Sequence, residues 1–122
     1  ILSLDKRIFL LGEIDYMSLL SLYKRSKKFI HLAYIDHCPN VVVDAQAAGC
    51  HIICSSTGGT KEVVKNGTIV QEEVWDMKPC KLYKPPALDF SNVKNVSNTG
   101  EELKYCIEEC MSKYFEVFEE LL

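Results

Sequence analysis

Residues 29–67 read FIHLAYIDHCPNVVVDAQAAGCHIICSSTGGTKEVVKNG, and this stretch decides the fold. The apolar run Phe29–Tyr34 predicts a strand, and Pro39 stands where the first turn of a helix tolerates proline, because that amide has no partner within the helix. Gly49 is expected to end this helix, and the apolar run His51–Ser55 predicts the next strand. A strand, a helix and a second strand in this order predict a parallel pair joined by a crossover helix.

The flanking segments continue the same alternation. The run RIFLLG at Arg7–Gly12 predicts an earlier strand, and Asp15 is expected to cap a helix whose apolar positions recur at helical spacing. Farther along, Thr57–Thr60 predicts a turn into a short helix that Asn66–Gly67 ends, and Thr68–Val70 predicts a fourth strand. The sequence therefore predicts an α/β fold, with a Rossmann-like parallel sheet and helices on both faces.

The chain of 122 residues is expected to form a single domain with its core at residues 7–71. Prolines among aromatic residues predict an ordered, irregular surface loop at residues 72–98, and helical spacing of apolar residues predicts a long amphipathic helix at residues 99–122. The apolar face of this helix fits two roles. It could pack on the sheet, or it could bridge to a second lobe that is missing from this chain. Because the first residue is Ile1 rather than methionine, we expect the chain to be a piece of a longer protein.

Charge and hydropathy exclude some partners. The formal net charge of -3, from 17 acidic and 14 basic residues, argues against nucleic acid as a partner. No apolar run reaches the roughly 20 residues of a membrane-spanning helix, and we expect a cytoplasmic location. A basic cluster at residues 24–28 fits the end of a helix, where cations are stabilising, and its alternative is peripheral contact with a membrane surface.

The six cysteines show no zinc-like pairing and no secretory context, so free thiols are expected. Cys50 and Cys54 adjoin or lie in an apolar run, where cysteine behaves as a small hydrophobic residue. Cys106 and Cys110 are expected one helical turn apart on a buried stripe. A redox function of that pair remains an alternative.

Two acids flank a predicted helix start. Asp36 follows the strand, and Asp44 lies one to two turns inside the helix. The amides of Asn40, Val41 and Val42 between them are suited to a diphosphate, since a helix N-terminus is an anion site without any glycine-rich loop. The two carboxylates would then accept hydrogen bonds from sugar hydroxyls, one from a ribose and one from a transferred hexose.

These residues resemble the retaining group-1 (family 4) glycosyltransferases, in the donor-binding, C-terminal domain of their two-lobed GT-B fold. That family carries two acids eight positions apart, a small-residue helix ending in glycine, a strand, and a Gly-Gly turn followed by a glutamate. Here the acids are Asp36 and Asp44, the small-residue helix is Ala45–Gly49, and Gly58 and Gly59 form the turn before Glu62. The resemblance covers roughly residues 7–71.

The resemblance implies a role for each matching residue. Asp44 would bind the ribose of a UDP- or GDP-sugar, and Asp36 would lie near the donor sugar as the catalytic residue. The remaining donor-binding positions implied are the amides of Asn40, Val41 and Val42 at the diphosphate, Gly12 and Ile14 at the base, and Gly58, Gly59 and Glu62 at the turn. It also implies metal-independent hexosyl transfer without a cofactor, and an acceptor-binding N-terminal lobe that is missing here.

Both acids are aspartates where the family usually has glutamate, shorter by about 1.5 Å, so the donor must sit closer or water must bridge. Three alternatives remain open at this stage. A noncatalytic nucleotide-sugar-binding or interaction module is one, an epimerase or phosphorylase of the same fold is the second, and the redox protein named above is the third. His37 fits a loop histidine better than a base, and Glu62 equally fits the decoration of a helix start.

Overall fold

The computed structural model describes residues 8–74, 76, 78–79, 86–93 and 106–120. Within them, helices and strands alternate over the first part of the chain. The elements are α1 (Tyr16–Arg25), β1 (Lys28–His31), α2 (Asn40–Ala47), β2 (His51–Ser55), α3 (Thr60–Val63), β3 (Gly67–Glu72), β4 (Leu88–Asp89) and α4 (Ile107–Glu120).

The four strands form one sheet in the order β1-β2-β3-β4. Strands β1, β2 and β3 are parallel, with Ile30 opposite Ile53 and Cys54 opposite Ile69. The short β4 pairs antiparallel with the end of β3, with Leu88 opposite Glu72. Helix α2 connects β1 to β2 and α3 connects β2 to β3, so the predicted α/β, Rossmann-like fold is confirmed.

The strand predicted at Arg7–Gly12 is wrong for the part that the structure describes. Residues 8–12 have no strand conformation, and Ile8–Leu11 are exposed. Among the described residues, β1 pairs with β2 alone and no strand lies along its other edge. An apolar run predicts burial and cannot supply the pairing partner that makes a strand.

The helix ends follow the sequence signals. Asp15 caps α1, because its Oδ1 accepts a hydrogen bond from the amide of Ser18 at 3.0 Å and its Oδ2 accepts one from the Ser18 hydroxyl at 2.6 Å. Lys24 and Arg25 lie in the last turn of α1, where they oppose the negative end of the helix dipole. Gly49 follows α2 with a φ of 91°, a left-handed conformation that glycine adopts without strain.

The core lies between α1, α2 and the sheet. All five residues of β2 are buried, as expected for a strand inside a parallel sheet, and Tyr23, Val42 and Ile52 belong to the main apolar cluster. Gln46 is the polar exception, since only 1% of it is exposed. Its side chain donates to the carbonyl of Val63 at 3.0 Å and accepts from the amides of Lys65 and Asn66, at 2.6 and 3.2 Å.

Three predictions on the second half of the chain need correction. The segment predicted as an irregular loop contains β4, and the described helix runs over Ile107–Glu120 within the predicted 99–122. Ile107, Tyr114 and Phe118 lie on the apolar face that was expected either to pack on the sheet or to bridge to another lobe, and all three are exposed rather than packed on the sheet. Cys106 is exposed rather than on a buried stripe, and its thiol donates to a carboxylate oxygen of Glu108 at 2.8 Å. The side chain of Cys110 lies outside the described residues.

None of the helices in the described ranges is long and apolar enough to cross a membrane. The longest of them, α4, has 14 residues and carries acidic side chains along its length. A membrane-spanning helix needs roughly 20 predominantly apolar residues.

Candidate active site at the carboxyl edge of the sheet

Parallel β1 and β2 end at the same edge of the sheet, and the loops that follow them meet there. The loop after β1, the Asp36 loop, spans residues 32–39, and the turn after β2, the Gly-Gly turn, spans residues 56–59. The hydroxyl of Ser55 donates to the carbonyl of Ala33 at 3.1 Å, and the amide of Gly59 donates to the carbonyl of Asp36 at 2.8 Å. Proteins with an open α/β sheet bind their ligands at this edge, so these two loops frame the candidate site.

Gly58 and Gly59 pass so close to the first loop that neither position has room for a side chain. A Cβ on Gly58 would lie 2.5 Å from the carbonyl oxygen of Asp36, and one on Gly59 would collide with the carbonyl of His37. Gly58 also has a φ of 87°. The Gly-Gly turn predicted from the sequence therefore lies directly against the backbone of Asp36.

Ile35 makes this approach with a strained backbone. Its φ of 59° is the only positive value among the non-glycine residues that the structure describes. A β-branched residue is rarely found in this left-handed region, and such strain persists only where the surroundings hold it. Here the hydrogen bond from Gly59 to the next residue, Asp36, supplies part of that hold.

The carboxylate of Asp36 is paired with a histidine that comes from the end of β1. The Nε2 atom of His31 lies 3.1 Å from Oδ2 of Asp36, and the exposed fractions of the two side chains are 17% and 34%. The ring of His31 also stacks on Phe29, with centroids 6.4 Å apart and planes 12° apart. Asp36 is thus half-buried and held on both its backbone and its side chain.

The carboxylate of Asp44 faces α1 instead. The phenol of Tyr16 donates to Oδ2 of Asp44 at 3.3 Å, and this hydrogen bond connects the start of α1 to the middle of α2. The negative charge of Asp44 is the main cause that raises the pKa of Tyr16, with burial next. Burial raises the pKa of Tyr23, and Asp44 adds to that rise. The two acids predicted from the sequence therefore have different partners.

The N-terminus of α2 lies between the two acids along the chain. Pro39 is its N-cap and provides no side-chain hydrogen bond to the first turn. Val42 is fully buried, and its amide donates to the carbonyl of Pro39 at 3.0 Å. That amide is therefore used inside the helix, whereas the neighbouring Asn40 and Val41 are exposed residues.

The other predicted positions surround this region less tightly. Gly12 and Ile14 line an open apolar groove of about 660 Å³ that also includes Leu19 and Phe29. Glu62 is exposed in the first turn of α3, and its amide donates to the carbonyl of Gly59 at 3.0 Å. The structure thus brings Glu62, Gly59 and Asp36 together through backbone contacts, whereas Gly12 and Ile14 lie on the side of α1.

Comparison with known proteins identifies the family. The sequence pattern described as glycosyl transferases group 1 matches residues 1–77. The chain belongs to this group of glycosyltransferases. The match covers α1 through β3 and hence both acids, the Gly-Gly turn and the predicted small-residue helix. No curated protein and no solved structure matches the chain.

Sequence reasoning missed three polar residues of this glycosyltransferase domain. From the sequence, His31 was predicted only as part of a strand and Gln46 only as part of the small-residue helix. Tyr16 was covered only by the prediction of a helix after Asp15. For His31 and Gln46 the signal was a polar side chain inside an otherwise apolar strand or helix, because such a group needs a partner when it is buried. Tyr16 is exposed and gave no such signal. The identity of each partner depends on the fold and was not readable from spacing.

Proposed function

We propose that this chain is the donor-binding, C-terminal lobe of a retaining, metal-independent hexosyltransferase of the GT-B fold. Its donor is a nucleotide-diphosphate sugar, with uridine or guanosine as the base. In this proposal Asp36 accepts a hydrogen bond from a hydroxyl of the donor sugar, and Asp44 accepts one from the ribose. The acceptor binds on a second lobe, and the isolated chain binds donor without turning it over.

The observation that supports the proposal most is the clamp of the Asp36 loop onto the Gly-Gly turn. Gly59 donates to the carbonyl of Asp36, and the missing Cβ atoms of Gly58 and Gly59 are what allow the contact. The clamp holds a carboxylate at the carboxyl edge of a parallel sheet, directly before the N-terminus of α2. A helix N-terminus favours a phosphate, and a fixed carboxylate beside it suits a sugar hydroxyl rather than a second anion.

The chemistry asked of this lobe is charge stabilisation. When the bond between the sugar and the diphosphate breaks, negative charge develops on the leaving phosphate oxygen. The amides of the exposed residues Asn40 and Val41, together with the dipole of α2, would oppose that charge. Gly58, Gly59 and Glu62 would bound the donor on the side of α3, and Gly12 and Ile14 would border the base.

Isothermal calorimetry on the full 122-residue chain tests the donor site. UDP, GDP, UDP-glucose and GDP-mannose are titrated into the wild type, Asp44→Ala and a control, Asp76→Asn. Asp76 is an exposed acid whose carboxylate pairs with Lys78, so its loss changes the net charge without touching the candidate site. We expect one nucleotide to bind, with an affinity about 10-fold or more lower for Asp44→Ala, as for a lost hydrogen bond to a charged group.

Equal affinity of wild type and Asp44→Ala for all four ligands would contradict the proposal. Loss of affinity in Asp76→Asn as well would indicate a general effect of charge. Because the aspartates are shorter than the usual glutamates, a noncatalytic nucleotide-sugar-binding module is the second candidate. Donor binding by the longer protein without any hexosyl transfer would favour that module.

A further inference from the structure

We infer that His31 is a positioning residue that sets the carboxylate of Asp36 for the donor sugar; this inference rests on the proposed function above. His31 lies at the last position of β1, at the edge where the two loops meet. Its Nε2 atom is 3.1 Å from Oδ2 of Asp36, within the range of a good hydrogen bond.

The direction of this hydrogen bond follows from the chemistry of the two groups. An ionised carboxylate can only accept, so Nε2 carries the hydrogen in the contact. With Oδ2 held by His31, Oδ1 of Asp36 is the oxygen that accepts from a hydroxyl of the sugar. A carboxylate fixed before the ligand arrives loses less side-chain freedom on binding.

The ring of His31 is itself held by the core. Positions 29 and 31 of a strand face the same side, and the ring of Phe29 stacks on His31 with planes 12° apart. Phe29 in turn meets Tyr23 edge to face, with centroids 5.3 Å apart and planes at 78°. Tyr23 is a buried member of the core cluster. An aromatic row therefore runs from the core to Asp36 and sets the plane of the imidazole.

The backbone of Asp36 is fixed independently of His31. The amide of Gly59 donates to its carbonyl at 2.8 Å, and the preceding Ile35 has its φ at 59°. Removing the imidazole is therefore expected to free the carboxylate while the loop stays in place. The loss of affinity on removing the imidazole should therefore be confined to ligands that carry a group in contact with Asp36.

This confinement gives the inference a specific signature. The ratio of affinities for a nucleotide-sugar and for its bare nucleotide isolates the contribution of the sugar. His31→Leu is expected to reduce that ratio by about 3- to 10-fold, the range for one hydrogen bond, and to leave the affinity for the bare nucleotide unchanged. His31→Gln keeps an N–H donor and is expected to restore part of the ratio.

Calorimetry measures the ratio in a double-mutant cycle on the full chain. UDP with UDP-glucose and GDP with GDP-mannose are titrated into the wild type, His31→Leu, Asp36→Ala and the double variant. If His31 acts through Asp36, His31→Leu has no further effect once Asp36 is alanine. The control is His37→Gln, because His37 is an exposed histidine next to Asp36.

The outcomes separate this inference from the proposed function. Binding of neither nucleotide by the wild type would overturn the proposed function and this inference together. If the wild type and His31→Leu both bind nucleotide with the same ratio of nucleotide-sugar affinity to bare-nucleotide affinity, the inference alone would be overturned. Additive losses in the double variant, or an equal loss of bare-nucleotide affinity, would show a merely structural role for His31 and would also overturn it. An unfolded His31→Leu leaves His31→Gln as the test, with a ratio between those of Asp36→Ala and the wild type expected.

Discussion

Replacing Gly58 by alanine is expected to push the Asp36 loop away from the turn that clamps it. The added Cβ would lie 2.5 Å from the carbonyl oxygen of Asp36 and 3.0 Å from its nitrogen. Both atoms belong to the backbone, so neither can rotate aside as the end of a side chain would. The loop or the turn must move as a whole.

Gly12 offers a matched control for the magnitude. Its φ of 67° is as left-handed as the 87° of Gly58, but a Cβ there would meet nothing within 4 Å. For both glycines the left-handed backbone costs alanine about 1–2 kcal/mol, and the stiffer unfolded chain offsets about 0.4–1 kcal/mol of it. Gly58→Ala adds the cost of overpacking, about 1–3 kcal/mol. The difference between the two variants is therefore about 1–3 kcal/mol.

Urea unfolding followed by far-ultraviolet circular dichroism gives the free energy of unfolding of the wild type, Gly12→Ala and Gly58→Ala. We expect equal slopes against urea and a lower midpoint for Gly58→Ala than for Gly12→Ala. If the two variants agree within about 0.5 kcal/mol, the range of a neutral surface change, then the close approach of the turn to Asp36 contributes nothing and the clamp is refuted.

Three further predictions follow from single contacts. Gln46→Met is expected to lower the free energy of unfolding by about 2–4 kcal/mol, because the buried residue loses three hydrogen bonds, whereas Gln71→Met at an exposed position should have no measurable effect; equal urea midpoints would contradict this. Hydrogen bonds from Ser18 lower the pKa of Asp15, so its contribution to stability is present above the usual aspartate pKa of about 3.9 and is lost as the pH falls through the lower folded value. The urea midpoint of Asp15→Asn should therefore lack this part of the acid dependence, and parallel pH curves for variant and wild type would contradict it. An aromatic disulfide reagent should modify the exposed Cys38 and Cys106 in the native protein and Cys50 only on unfolding, since burial raises the pKa of the Cys50 thiol; Cys38→Ser should remove one thiol equivalent from the fast phase, and an unchanged fast amplitude would contradict this.

Much of the fold was predictable because simple rules relate local sequence patterns to single helices and strands. His51–Ser55 is a strand with the predicted bounds, since a buried parallel strand is a continuous apolar run. Residues 8–12 are equally apolar and form no strand, because apolarity does not specify a pairing partner. Strand β4 has only two residues, too few to carry any pattern, and its existence depends on the end of β3 alongside it.

The candidate site was predictable at the level of the backbone. Asp36 and Gly59 are 23 positions apart in sequence, and they meet because the carboxyl ends of neighbouring parallel strands share an edge. The partners of the two acids were not predictable in the same way. His31 and Tyr16 reach Asp36 and Asp44 through side-chain geometry, which spacing along the chain does not determine.

The supports of the site differ in what they are expected to control. Gln46 connects α2 to the turn between α3 and β3, so its loss should weaken the fold while the Asp36 loop keeps its contact with Gly59. Gly58 touches the loop itself, so its replacement should weaken the fold and also lower the preference for a nucleotide-sugar over the bare nucleotide. Two variants of similar stability would then differ in sugar selectivity, and that difference would separate the clamp from general stability as the determinant of donor binding.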